Sequence, residues 1–218
     1  MLLIRHSPHA SSWSLRRKMH NGFVDTILRW DHTVWYYMNT QWHTPLLDAI
    51  VPFLRNQWFW APLYLFLAIL IPSRFRKNGW IWCLLFLVSF ILSDQVSATL
   101  MKPHFHRLRP CNNPALSSII HLLVTCGSGY SFPSSHAANH FSMGIFSAVT
   151  LGRVAKWVWP VAVLWAMSVS FAQVYVGVHY PLDVTCGAIV GSLIAIGTGT
   201  FFNHYFSFRK SHISPPAQ

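Results

Sequence analysis

Long apolar runs, each followed by a polar segment, are the feature that most constrains the fold of this chain. A helix of about 20 apolar residues can cross the hydrocarbon core of a bilayer. Because lipid offers the backbone no hydrogen-bond partners, such runs predict an all-α integral membrane bundle of about five transmembrane helices. The candidate spans cover residues 46–71 (most apolar at 58–71), 80–101, 135–151, 157–175 and 182–206.

Composition agrees with a membrane protein, since 53% of the residues are hydrophobic and only 10% are charged. The formal net charge of +11 would suggest a nucleic-acid partner in a soluble protein. The apolar runs argue against nucleic acid and place the cations at the membrane surfaces instead. The expected partner is therefore a lipid, and no oligomeric state follows from the composition.

The polar segments divide the chain into four parts. Residues 1–22 form a basic tail without a continuous apolar stretch, so no cleaved signal peptide is predicted. In residues 23–43, apolar residues recur at helical spacing between polar ones, which predicts an interfacial amphipathic helix. Residues 44–206 form the transmembrane domain, and residues 207–218 form a polar tail.

Basic residues beside the spans predict the orientation, because such residues stay preferentially in the cytoplasm. Three basic clusters fall on the same side of the predicted bundle. The loop 102–132 and the link 176–181 then lie on the outer side, which is the periplasm for a bacterial inner membrane. The clusters are Arg74, Arg76 and Lys77, then Arg153 and Lys156, then Arg209 and Lys210.

A first polar motif on that outer side is Lys102-x6-Arg109-Pro110, at the end of a span. Lys offers a point charge to a phosphate, and Arg offers a planar fork that matches phosphate oxygens. The alternative is that both side chains only reach the lipid headgroups.

A second motif, Pro133-Ser134-Ser135-His136, opens a span. Pro suits a first helical turn and either serine suits a cap, so the unpaired amides at this helix start predict an anion site. His136 is placed to give or take a proton there. The alternative is a simple cap with a bystander histidine.

A third motif, His179-x3-Asp183, opens the last span. Its spacing brings a carboxylate beneath an imidazole on one helical turn, which fixes the tautomer and leaves the other ring nitrogen free to react. A carboxylate at a membrane boundary is costly without a partner. Structural pairing alone is the alternative.

Together, Lys-x6-Arg-Pro, Pro-Ser-x-His and His-x3-Asp, in this order, resemble the type 2 phosphatidic acid phosphatase family over about residues 45–205. The resemblance implies a phosphatase without metal or cofactor, in which His179 attacks phosphorus and forms a phosphohistidine. Asp183 would orient His179, and His136 would protonate the leaving oxygen and then activate water. The residues implied to hold the phosphoryl oxygens are Lys102, Arg109, Ser134 and the backbone at Ser135.

The chain departs from the family at one place, because Ala172-Gln173 stands where the family has Ser-Arg. A phosphate-binding cation is therefore missing. Gln173 could still donate a hydrogen bond, and Arg107, an extra cation in the first motif, could supply the charge. The alternative is a lipid-binding pseudo-enzyme that keeps the fold.

The family implies a lipid substrate with its phosphate at headgroup depth. The candidates are undecaprenyl diphosphate, phosphatidylglycerol phosphate, phosphatidic acid and lipid A phosphates. An outward-facing site on a short chain favours undecaprenyl diphosphate slightly, by analogy. A transporter ranks last, because Asp94 is the chief polar residue inside a predicted span.

Further histidines and cysteines lie near the motifs. A His-x-His pattern in a loop with no accompanying carboxylate is weak evidence for a metal, so no metal site is predicted. Cys111 and Cys126 share the outer loop, where an oxidising periplasm would permit a disulfide, but sequence separation leaves their pairing open. The histidines concerned are His104, His106, His121 and His140.

Overall fold

The computed structural model describes residues 9–208, with side chains from residue 22 onward, and this range contains helices and no strand. The predicted all-α class is confirmed. Two π-helical turns, Tyr37–Gln41 and Gln95–Met101, follow the first and third helices. The helices are α1 (His9–Tyr36), α2 (Pro45–Arg55), α3 (Ala61–Asp94), α4 (Lys102–Phe105), α5 (Ser135–Leu151), α6 (Val158–Tyr175) and α7 (Pro181–Tyr205).

Three helical segments among the described residues are long and apolar enough to cross a membrane: Gln57–Leu116, Val158–Tyr175 and Pro181–Tyr205. The first contains α3, which is broken at Arg76, where φ is 49°. A Cβ on Gly79 would lie 2.4 Å from the carbonyl oxygen of Ile71, so the chain reverses there and α3 forms two antiparallel arms. The reversal falls between the first two predicted spans, and the count of five spans stays a prediction.

The N-terminal helix starts earlier than the sequence suggested. Helix α1 begins at His9, inside the segment 1–22 predicted as a tail, and the predicted interfacial helix 23–43 covers its C-terminal part and the π-helical turn. The side chains of the basic residues in the tail lie outside the described residues, as do residues 209–218 of the polar C-terminal tail.

Helices α5 and α7 pack against each other so closely that two positions require glycine. A Cβ on Gly187 would lie 2.3 Å from the carbonyl oxygen of Ser134, and one on Gly191 would lie 2.0 Å from that of Ala138. Gly197, further along α7, has nothing within 4 Å of its Cβ position. The close approach brings the N-terminal ends of both helices together.

The loops gather at the two ends of the bundle. The long loop after α4 and the link between α6 and α7 lie at the end where α5 and α7 begin. At the opposite end, Asn78, just after the reversal, donates 2.7 Å to the carbonyl of Phe206, and Asn203 donates 2.9 Å to the carbonyl of Val149. The basic residues from Arg74 to Lys77 and from Arg153 to Lys156 are therefore on the side away from the three motifs.

Candidate active site

His179 and Asp183 lie in the tight connection from α6 to α7, where they are 1% and 0% exposed. His179 Nδ1 is 3.4 Å from Asp183 Oδ2 and 3.2 Å from the hydroxyl of Ser131. The Ser131 hydroxyl itself donates to Asp183. With that hydroxyl donating, the ring proton of His179 sits on Nδ1, and Nε2 keeps its lone pair. The sequence did not single out Ser131.

Arg109 lies directly beside that free nitrogen. Its Nη1 is 3.1 Å from His179 Nε2 and also donates to the carbonyl of Val178 over 3.3 Å. Its Nε donates to the carbonyl of Gly129 over 3.4 Å. Because a guanidinium has only donors, Arg109 places a fixed positive charge where an anion bound to His179 would lie.

Arg107, two residues earlier, has different contacts. Its Nη1 donates 2.7 Å to Asp183, and its Nη2 donates to Asp31 of α1. Asp31 is 6% exposed and accepts a 2.7 Å bond from the Leu182 amide in the first turn of α7. The guanidinium carbon also lies 4.1 Å from the ring centre of Tyr180. The sequence showed Asp31 only as a polar residue of an amphipathic segment.

At the start of α5, Ser134 and Ser135 have different roles. The Ser134 hydroxyl accepts from the Ala137 amide, so Ser134 is the cap, and its own amide donates 2.9 Å to the carbonyl of Asp183. The Ser135 hydroxyl has no hydrogen-bond partner among the described residues. Ser135 is therefore the serine with a free hydroxyl beside His136.

A cavity of about 800 Å³ joins the first two motifs. Lys102, Arg109, Ser135 and His136 line it together with apolar side chains of α3 and α5. The structure thus brings the cations of the first motif to the helix start of the second, and Arg109 reaches the histidine of the third. Ser134, Arg107 and Gln173 do not line the cavity, and His179 and Asp183 lie behind Arg109 and do not line it either.

Gln173 acts through its backbone. Its carbonyl accepts 3.2 Å bonds from the amides of Val178 and His179, which shape the turn that carries the nucleophile. Its side chain is 0% exposed, and both amide atoms lack a hydrogen-bond partner among the described residues.

The charge state of His179 follows from its surroundings. Burial, together with the charges of Arg109 and Lys102, lowers the pKa of His179 to about 4, against the opposing effect of Asp183. The ring is therefore uncharged near neutral pH, as a nucleophile must be.

The outer loop holds two further features. Cys111 and Cys126 form a disulfide that closes the segment after Arg109. Among the described residues, His43, Asp48 and His121 form a group whose ligand atoms could hold a metal ion, with His121 Nε2 3.1 Å from Asp48. None of these residues belongs to the three motifs.

The comparison with known proteins agrees with these motifs. The family model of the PAP2 superfamily matches residues 82–207, which is more than half of the chain. The chain belongs to the PAP2 superfamily. It is 32% identical over 152 residues to the lipid A 4'-phosphatase of Bacteroides thetaiotaomicron, covering 68% of this chain and 67% of that protein. It is 37% identical over 155 residues to the undecaprenyl-diphosphatase of Sulfolobus acidocaldarius, covering 68% of each.

Two crystal structures of PAP2 proteins share the fold. Aquifex aeolicus LpxE superposes with a TM-score of 0.59 and 25% identity, covering 76% of this chain and 92% of that one. The transmembrane PAP2-type phosphatidylglycerolphosphate phosphatase of Bacillus subtilis superposes with a TM-score of 0.65 and 22% identity, covering 84% and 90%. This PAP2 protein is therefore a membrane phosphatase.

Proposed function

We propose that the protein removes a phosphate from a lipid phosphate or diphosphate through a phosphohistidine on Nε2 of His179, without a metal ion. The observation that carries the proposal is the environment of this ring. Nδ1 is held by Asp183 and Ser131, and Nε2 lies 3.1 Å from Arg109, which lines the cavity together with Lys102. A buried, uncharged imidazole beside fixed cations suits attack on an anionic phosphorus.

In the first step, the lone pair of His179 Nε2 forms a bond to phosphorus while the bond from phosphorus to the lipid oxygen breaks. His136 gives its proton to that oxygen. Lys102, Arg109 and the amides at the start of α5, including the backbone at Ser135, hold the phosphoryl oxygens, whose charge spreads in the transition state.

In the second step, His136 takes a proton from water, the water oxygen attacks phosphorus, and the bond from phosphorus to Nε2 breaks. Inorganic phosphate leaves and His179 is restored. Asp183 stays ionised throughout and stabilises the charge that His179 carries as the phosphohistidine.

The comparisons leave more than one substrate open. Relatives named for lipid A 4'-phosphate and for undecaprenyl diphosphate match similar lengths of this chain. Both lipids are therefore candidates here, with phosphatidylglycerol phosphate and phosphatidic acid. We further propose that the site opens to the periplasm of a bacterial inner membrane, since the described basic clusters lie at the other end of the bundle.

The test is phosphate release by detergent-purified protein from these lipids with EDTA present, comparing the wild type with His179→Ala. We expect release that survives EDTA and vanishes in the variant. His104→Ala is the matched control, because His104 is exposed and bonds to the Leu100 carbonyl in its own turn. Brief reaction with a 32P-labelled substrate should label the wild type and not His179→Ala.

A pseudo-enzyme is the second candidate, because Gln173 replaces the cation that the family has at this position. Such a protein would bind a lipid phosphate without turnover. Saturable binding with no release from any of the lipids would support this function and contradict the first.

A further inference from the structure

The cavity beside His136 continues past the phosphate-binding residues into the membrane-spanning part of the bundle. Phe86 and Phe90 of α3 give it an apolar wall that suits acyl or isoprenyl chains. Asp94 and Asn139 add polar atoms to the same wall. A pocket for hydrocarbon chains alone would not need polar atoms. Such atoms are costly inside a membrane unless they have partners.

Asp94 presents a hydrogen-bond acceptor at this wall, and Asn139 holds its side chain in place. Asn139 Nδ2 donates to Asp94 Oδ1 over 3.0 Å, which fixes the amide with its oxygen at the other side. Asn139 is only 9% exposed, and its Oδ1 has no hydrogen-bond partner among the described residues. That oxygen is enclosed by the protein, so the acceptor left for a ligand is the second carboxylate oxygen of Asp94, since Asn139 occupies the first.

Their position relative to the phosphate follows from the helix. Asn139 lies three residues after His136, about 5 Å further along α5 and away from its N-terminus. His136 protonates the leaving oxygen in the mechanism above. The leaving group of a bound lipid therefore extends from His136 past Asn139 and Asp94 before its chains reach the apolar wall.

We propose that Asp94, held in place by Asn139, forms a leaving-group site that selects lipid monophosphates whose phosphate is carried by a group with hydroxyl or amide hydrogens, such as an acylated amino sugar. The inference rests on the phosphatase function proposed above. It favours a glycolipid monophosphate over the prenyl diphosphate that the sequence slightly preferred.

Charge and hydrogen bonding produce this selectivity. A hydroxyl or amide N–H that donates to Asp94 forms a charge-assisted bond, which is stronger than a neutral one. A diphosphate instead places a second anion on the leaving side, where Asp94 repels it between apolar walls. Phosphatidic acid has neither the donor nor the second charge, because its diacylglycerol carries only esters near the phosphate.

Asp94 has a competing role as a counter-ion of Lys102, which lines the same cavity. In that role, its loss would weaken the binding of every lipid phosphate to a similar extent. A comparison between substrates therefore separates selection of the leaving group from support of Lys102.

The first experiment compares kcat/KM of the wild type for a diacylated glucosamine phosphate, phosphatidic acid and undecaprenyl diphosphate. We expect the glucosamine phosphate to react at least about tenfold more efficiently than phosphatidic acid, with the diphosphate slowest. Equal values or the reverse order would overturn the selectivity while leaving the phosphatase function intact. Release from none of the three would instead contradict the phosphatase function, and the selectivity with it.

The second experiment uses Asp94→Asn, which removes the charge and keeps the size of the side chain. We expect the advantage of the glucosamine phosphate over phosphatidic acid to fall by about tenfold, and the diphosphate to gain relative to phosphatidic acid. Asp25→Asn, at an exposed position of α1, is the matched control. An equal loss of kcat/KM on all three lipids would show that Asp94 acts as the counter-ion of Lys102 and would overturn the proposal. If the variant does not fold, the wild-type comparison decides.

Discussion

Asp31 of the N-terminal helix and Asp183 of the His-x3-Asp motif bind the same guanidinium, that of Arg107. Each carboxylate is almost fully buried, so each requires compensation of its charge. The Arg107 fork supplies it to both and fixes the distance between α1 and α7. We infer that Arg107 is a positioning residue for Asp183, and through it for His179, instead of a ligand of the phosphate.

Asp31→Asn tests whether α1 supports the active site. The change keeps the shape of the side chain but removes the charge opposite Arg107, so Asp183 and His179 lose part of their orientation. We expect kcat to fall by on the order of tenfold to a hundredfold while KM changes little, since a small misplacement of a reacting group lowers the rate of the chemical step. Gel filtration should show the same folded species. A KM increase with unchanged kcat would contradict the positioning role.

Arg107→Ala and Gln173→Leu should have opposite effects on activity. Both concern the arginine that the family has at position 173 and this chain lacks. Arg107→Ala leaves two buried carboxylates without their counter-ion, which typically costs about 3–5 kcal/mol and should abolish turnover. Gln173→Leu replaces a buried amide without hydrogen-bond partners by an apolar side chain of similar size, so activity and stability should be retained. Phosphate release and thermal unfolding in detergent check both. Equal, mild effects would contradict the role of Arg107 as the counter-ion that positions Asp183.

Spacing along the chain was enough to find residues that act within one turn or one motif. The four-residue spacing of His179 and Asp183 predicts their contact, and the structure shows it. The cations Lys102 and Arg109 and the helix start at His136 were found through motif order, and they line one cavity.

Contacts between distant elements could not be found in this way. Arg107 and Asp31 are 76 residues apart, and no period or motif links them. The reversal in α3 was indicated only by a polar gap between apolar runs. The choice between Ser134 and Ser135 as cap depends on backbone geometry, because both residue types suit the position. Asp94 was noted as polar, but its role depends on the cavity that tertiary packing creates.

The buried ring of His179 predicts a pH dependence. Its pKa is lowered to about 4 from the ordinary value of 6.5, first by burial. Between these values, the unfolded chain binds a proton on this ring that the folded protein does not bind. The free energy of unfolding should therefore decrease as the pH falls from 6.5 towards 4.

Histidine-selective NMR labelling in detergent measures this directly. The signal that disappears in His179→Gln should titrate near pH 4 in the wild type. A midpoint near 6.5 would contradict an uncharged, desolvated nucleophile and would move the acid limit of activity towards neutral pH.

The close contact of α5 and α7 predicts different results for two glycines of one helix. In Gly191→Ala, the new methyl group would lie 2.0 Å from the Ala138 carbonyl oxygen, so α7 must move away from α5. Because α7 carries Asp183 and α5 carries His136, we expect both a loss of about 1–3 kcal/mol in stability and a fall in kcat. In Gly197→Ala, the methyl group meets nothing within 4 Å, and the higher helix propensity of Ala should leave the apparent unfolding temperature equal or higher. If both variants unfold at the same temperature and hydrolyse lipid phosphate equally, the packing of α7 on α5 does not position the site.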